Sequence, residues 1–264
     1  MKKNSNIIAE EIKKEDKLTR LQAFNIYRVF KTANPKVKSE IKRLKGEIVS
    51  GLSRHDRISG IWFLNIYKKV LEARSKTVTL EALIDGYKTE DKEMISKKLI
   101  AHYSNYGIAT GAVLGSSGGI LGFLTAAYST FGEIACITYF ELCLIYDLSV
   151  LYERPLDKAN NLELYRVLRT AFGISDKDLS SSKVDELVDK GSRLIEDKLL
   201  KNDIQVLQGL LKNLGAAIFY KAPKNLAAKL IPIFGALSGI LVCTTSDYNT
   251  VKLLGKRTVK IYNG

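Results

Sequence analysis

A stretch without any charged residue, residues 103–132, constrains the fold of this chain more than any other feature. Within it glycines recur every four residues, at Gly107, Gly111, Gly115 and Gly119, and Gly122 follows another glycine at the same spacing. Each glycine weakens a helix in water by roughly 0.5–1 kcal/mol relative to alanine. A glycine every four residues also leaves a flat ridge on which a second helix can pack closely. We therefore expect these glycines to serve helix packing.

A phosphate-binding loop is the competing interpretation of a glycine-rich run. The segment from Gly115 reads GSSGG, and no Lys follows it as a Walker-type loop requires. No strand-like run precedes it, and no acidic residue follows at the spacing of a dinucleotide-binding unit. A nucleotide site is therefore not expected here.

A second apolar segment, residues 134–152, follows a break predicted at residues 129–132. The two segments together have the pattern of a helical hairpin, with Lys97 and Lys98 before it and Arg154 after it. The first arm is long enough to span a bilayer, and a cation-free tip between basic ends is the charge asymmetry of a hairpin entering from the cytoplasm.

Charge is distributed unevenly around this hairpin. Residues 1–102 carry 23 Lys and Arg against 13 Asp and Glu, and residues 154–264 carry 18 against 11. Residues 103–153 carry four acids and no cation. Basic surfaces attract anionic lipids and nucleic acids alike. Only lipid also accounts for the apolar middle, and no nucleic-acid-binding motif is present, so nucleic acid is not expected as a partner.

Three acids in the apolar region, Glu133, Glu141 and Asp147, are the polar residues that need an explanation. A carboxyl group in an apolar helix has a raised pKa unless it is paired. Hydrogen bonding or ion pairing inside a bundle is one explanation, and a proton-sensitive switch that eases insertion is the other. An acid at the centre of a bilayer costs about 2.5–3.5 kcal/mol, so both burial in a bundle and conditional insertion stay open.

The flanking sequence predicts further amphipathic helices in an all-α bundle. Phe63, Ile66, Tyr67 and Val70 share one helical face, which indicates either a core-facing stripe or an interfacial aromatic anchor. Asn161–Phe172 is predicted to be a helix closed by a glycine, and residues 182–185 resemble a capping box. A last uncharged segment, residues 230–246, contains two more glycines with the packing spacing. These are Gly235 and Gly239.

Parts of the chain resemble the EcsC-like family. The resemblance rests on GGILG at 118–122, Glu133, IYDL at 145–148, and LAAKLIPIFGALSG at 226–239, and it covers roughly residues 100–262. It departs where the family commonly has Asp in place of Glu133 and where the motif around Tyr146 is only partly kept. The resemblance implies a bacterial helical domain over 100–262. Charge and periodicity predict a basic amphipathic helical region over residues 1–99, either separate from that domain or forming one compact unit with it. The family's name comes from a bacterial ABC exporter operon, membrane association is suspected for it, and it carries no agreed catalytic residue.

No catalytic or metal-binding pattern is found among the chemically reactive residues. His55 lies in a hydrophilic stretch and is expected to be a solvated loop residue, and His102 precedes the hairpin. No metal-ligand spacing or nucleophile motif occurs. The three cysteines lie in apolar runs, which favours buried thiols in a reducing compartment. We therefore expect no enzyme activity, cofactor or metal, and a cytoplasmic location at the inner face of the cell membrane.

Two functions are consistent with these patterns. The first is a membrane-associated helical protein that binds anionic lipids, then docks on or conditionally inserts into the bilayer, and perturbs it or assists a membrane-protein complex. The alternative is a soluble helical interaction or oligomerisation protein with the hydrophobic hairpin buried in its core.

Overall fold

The computed structural model describes residues 35–49, 52–115, 126–175, 178, 199, 201, 203–227 and 235–263. Over these residues the protein is all-α, as the sequence predicts, with nine helices and no strand. The helices are α1 (Pro35–Val49), α2 (Arg54–Ile58), α3 (Ile61–Arg74), α4 (Leu80–Tyr87), α5 (Lys92–Gly115), α6 (Ala126–Leu151), α7 (Asn161–Phe172), α8 (Ile204–Ala227) and α9 (Gly235–Asn263).

Local sequence explains several of the helix ends. Ser53 and Asp56 form a reciprocal capping box at the start of α2, and the Asn160 side chain accepts from the backbone of Glu163 at the start of α7. Gly173 ends α7 in the left-handed conformation, which confirms the predicted closure of that helix.

Helix α6 forms the centre of the bundle. It contacts α1, α3, α5 and α9, and from Phe131 onward almost every residue is buried. Helices on both sides of residue 99 contribute to one continuous hydrophobic core. The segment Phe131–Leu151 is apolar and long enough to cross a membrane, but 94% of its most apolar window is buried inside the bundle.

The stripe on α3 faces this core. Phe63, Ile66, Tyr67 and Val70 are all buried, and Trp62 is fully buried against Phe63 and Phe131. The core-facing interpretation is confirmed, and the interfacial-anchor interpretation is wrong because these aromatic side chains are buried inside the bundle.

The predicted break at residues 129–132 is wrong, because α6 begins at Ala126 and continues through those residues without interruption. Gly132 is tolerated inside the helix, where a Cβ added to it would meet only the flexible Lys45 side chain, 3.1 Å away. His55, expected in a loop, is exposed as expected but belongs to α2. The capping box predicted at 182–185 lies outside the described residues.

Candidate functional site

The three acids singled out from the sequence are all buried on α6, and two of them face different helices. Asp147 points toward α3 and α5, whereas Glu141 interacts electrostatically with Asp247 of α9. Glu133 lies near the start of the well-buried part of α6 and is 6% exposed. The polar chemistry of the core is therefore divided between two separate centres.

The first centre is a closed triad of Arg74, Tyr103 and Asp147. The Arg74 guanidinium donates through Nε to Asp147 Oδ1 at 3.0 Å and through Nη2 to Asp147 Oδ2. The same Nη2 donates to the Tyr103 hydroxyl at 2.6 Å, and that hydroxyl donates to Asp147 Oδ2 at 2.7 Å. The last residue of α3, one residue of α5 and one of α6 are thereby joined.

Burial and neighbouring charges shift the pKa of each member of the triad. Burial lowers the pKa of Arg74, but the neighbouring Tyr103 and Asp147 outweigh it and raise that pKa overall, so the guanidinium stays charged. Burial also raises the pKa of Tyr103 well above its ordinary value, so the phenol keeps the proton that it donates. Burial raises the pKa of Asp147 while Arg74 opposes the rise, which ties the ionisation of Asp147 to the presence of Arg74.

A cavity of about 250 Å³ lies beside this triad. Its lining is Arg74, Leu83, Tyr87, Leu99, His102, Tyr103, Tyr106, Tyr139, Phe140, Cys143 and Asp147. The charged groups of the lining are already paired with one another, which favours a structural role for this centre. Among the described residues, no group of three or more His, Cys, Asp or Glu side chains is placed to hold a metal ion.

The second centre is the carboxyl pair of Glu141 and Asp247. Glu141 is 4% exposed and Asp247 is 3% exposed, and Glu141 Oε1 has no hydrogen-bond partner in the part of the chain that the structure describes. Burial, with a further contribution from the charge of Asp247, raises the pKa of Glu141 to about 8. Glu141 therefore carries a proton at neutral pH.

Helices α5 and α9 form the most extensive helix pair of the bundle, and glycines bring them together. A Cβ on Gly107 would lie 3.1 Å from the Asp247 carbonyl oxygen, and a Cβ on Gly255 would lie 2.6 Å from Ile100. Gly111, Gly115, Gly235 and Gly239 belong to the same two helices, but their surroundings lie outside the described part of the structure, as do Gly119 and Gly122 altogether.

A surface groove of about 490 Å³ runs between these two helices. We call it the α5–α9 groove, and it is lined by Glu93, Ser96, Lys97, Ile100, Ala101 and Ser104 of α5 and by Tyr248, Lys252, Lys256, Val259 and Asn263 of α9. Lys97 is paired with Glu93 at 2.7 Å, and Lys252 lies over the Tyr248 ring at 5.5 Å. Three ammonium groups and one carboxylate therefore surround an apolar floor.

Sequence reasoning missed most partners in these centres. Arg74 stands in an amphipathic segment and Asp247 directly follows the uncharged segment 230–246, and neither position identifies the helix that the side chain contacts. The groove lysines are spaced four residues apart on α9, which identifies one helical face but not the helix that it adjoins.

Comparison with known proteins yields no match among family models, curated proteins or solved structures. The resemblance of residues 100–262 to the EcsC-like family stays a prediction.

Proposed function

We propose that this protein is a non-enzymatic, cytoplasmic helical protein that docks peripherally on the anionic inner face of the cell membrane. Its α6 helix remains in the bundle core while the surface formed by α5 and α9 meets the headgroups. The resemblance to the EcsC-like family supports the same proposal and suggests a membrane-protein complex as a further partner.

The observation that carries this proposal is the mixture of cations and exposed apolar side chains on α5 and α9. Lys97, Lys252 and Lys256 line the α5–α9 groove, and Met94 and Leu253 on the same two helices are 44% and 49% exposed. Each cation near an anionic bilayer contributes about 1 kcal/mol, and exposed apolar side chains add burial in the interface.

The burial of α6 supports docking over insertion. Taking α6 into a bilayer would remove the helix that α1, α3, α5 and α9 all contact, and would expose the triad partner Arg74. The bundle would lose the packing of its central helix, and the Arg74–Asp147 pair would be broken.

Flotation of the full chain with vesicles tests the proposal. We expect binding to phosphatidylcholine vesicles containing phosphatidylglycerol at low salt, weak binding to pure phosphatidylcholine, and release by salt without carbonate. Absence of binding to anionic vesicles at low salt would contradict the proposal. Retention of the protein on the vesicles after carbonate extraction would favour insertion instead.

The burial of α6 also favours a second candidate, a soluble helical interaction protein. This candidate predicts unchanged migration in size-exclusion chromatography when anionic vesicles are added. It also predicts an oligomer or a bound protein partner in detergent-free buffer.

A further inference from the structure

We propose that the α5–α9 groove is a specific site for one anionic phospholipid. The lysines of the groove hold the headgroup phosphate, and its apolar floor contacts the glycerol end. This inference rests on the proposed membrane function and names the ligand of that surface.

The shape of the groove fits part of a lipid rather than a whole one. Its volume of about 490 Å³ lies within the range of small-ligand pockets, roughly 300–1,000 Å³. Ile100, Ala101 and Val259 give the floor an apolar character. A headgroup with its glycerol fits such a space while the acyl chains remain in the bilayer.

Charge complementarity selects an anionic lipid. Lys252 and Lys256 stand one helical turn apart on α9, and Lys97 stands across the groove on α5. Ammonium groups bind phosphate as point charges, so three of them around one phosphate give affinity without requiring a particular headgroup. Among the described residues of the lining, Glu93 is the only acid, and it forms an ion pair with Lys97.

Glu93 should weaken the binding of an anionic lipid to the groove. Its carboxylate lowers the net positive charge of the groove and pairs with Lys97, one of the three lysines that would bind the phosphate. Replacing it by Gln should therefore tighten lipid binding, a gain that misfolding cannot imitate.

The test uses the full chain and two probes, so that the groove and the membrane function are examined separately. The first probe is monomeric dihexanoyl phosphatidic acid, titrated by calorimetry below its micellar concentration. The second is phosphatidylcholine vesicles containing phosphatidylglycerol. Lys252→Glu with Lys256→Glu should weaken binding of the short lipid by more than about 25-fold, at about 5-fold for each charge near an anionic surface.

Two controls define the specificity. Lys68→Glu with Lys158→Glu changes charge equally at exposed lysines outside the groove, and should leave short-lipid binding unchanged. Ala101→Trp fills the groove without changing charge and should weaken short-lipid binding at least 10-fold. Glu93→Gln should strengthen it severalfold.

The outcomes separate the two proposals. Vesicle binding without short-lipid binding would contradict the lipid site in the groove but not membrane docking. The same holds if the Lys252/Lys256 and Lys68/Lys158 substitutions have equal effects. Short-lipid binding without vesicle binding supports the groove and overturns docking. If inorganic phosphate competes as well as the lipid, the site is only an anion site. If Ala101→Trp converts an oligomer to a monomer, the groove is an interface between copies; either result overturns the proposal.

Discussion

At the scale of single residues, the two buried acids Asp147 and Glu141 show that the same side-chain chemistry behaves differently according to its partner. Asp147 has a guanidinium and a phenol within hydrogen-bonding distance, whereas Glu141 has another carboxyl group as its charged neighbour. Burial raises the pKa of both carboxyl groups, but Arg74 and Tyr103 oppose the rise at Asp147, whereas the charge of Asp247 adds to the rise at Glu141.

Glu141 should make the stability of the bundle fall as pH rises. The pKa of its carboxyl is about 8 in the folded protein and 4.5 for an unperturbed glutamate, so between these pH values the folded state binds more protons than the unfolded state. The contribution of Glu141 to the free energy of unfolding should therefore be fully present below pH 4.5 and be lost as the pH rises to about 8, with a slope of up to about 1.4 kcal/mol per pH unit. In Glu141→Gln this contribution disappears, which urea unfolding across that range measures. Glu72→Gln, at an exposed position, should keep the wild-type slope, and an unchanged slope in Glu141→Gln would contradict the assignment.

Arg74 should be worth more to the fold than any of the exposed pairs. Arg74→Met leaves Asp147 buried without its cation and should lower the free energy of unfolding by roughly 3 kcal/mol, the size expected for breaking one side of a buried pair. Lys76→Met, in an exposed pair with Glu72, should change it by less than about 0.5 kcal/mol. A double-mutant cycle with Asp147→Leu measures the coupling, and additive effects would show that the two residues act independently.

At the scale of helices, the close packing of α5 against α9 depends on glycines at the contact. Gly107 meets Asp247 and Val251, while seven residues earlier Ile100 meets Gly255, so the two helices run antiparallel. The glycine spacing predicted a helix-packing ridge, but it could not identify α9 as its partner, because a ridge of small residues is equally suited to any helix.

Gly107→Val should test this contact directly. The added Cβ would lie 3.1 Å from a backbone oxygen of α9, which cannot move aside as a flexible side chain can, so we expect a loss of about 2–3 kcal/mol. Gly209 in α8 has open space around it, and Gly209→Ala should instead stabilise the protein by about 0.5–1 kcal/mol. Thermal unfolding of both variants gives the comparison; a neutral Gly107→Val would mean that the helices separate at little cost.

The helical secondary structure and the core-facing stripe of α3 could be predicted because they depend on local composition and periodicity. The uninterrupted course of α6 through Gly132 could not, because the space around that glycine is set by Lys45, almost ninety residues earlier. The roles of Arg74 and Asp247 could not be predicted either, because they arise only when helices distant in sequence pack together. Hydrophobic pattern determines which segments are buried, while tertiary contact determines how their polar atoms are paired.

At the scale of the whole molecule, membrane docking and preservation of the bundle are compatible only if the core stays closed. The α5–α9 groove is on the surface, and Trp62, the only tryptophan of the chain, is fully buried where α3 meets α6. Its ring packs edge-on against Phe131 of α6, at 5.6 Å between centroids. Trp62 fluorescence therefore reports on the core rather than on the docking surface.

Peripheral docking predicts that saturating anionic vesicles leave the Trp62 emission maximum within a few nanometres of its value in buffer, even though the protein floats with the lipid. Insertion of α6 would remove Phe131 from the indole ring and open α3 to water or lipid, so the emission would shift and brominated lipids would quench it. Urea-unfolded protein supplies the reference for an open core. Conditional insertion driven by the acids would show the shift only as pH falls, because protonation removes the charge that opposes entry of α6 into lipid. A shift at neutral pH would contradict docking with a closed core, whereas an unshifted maximum on bound vesicles would place the whole interaction on the protein surface.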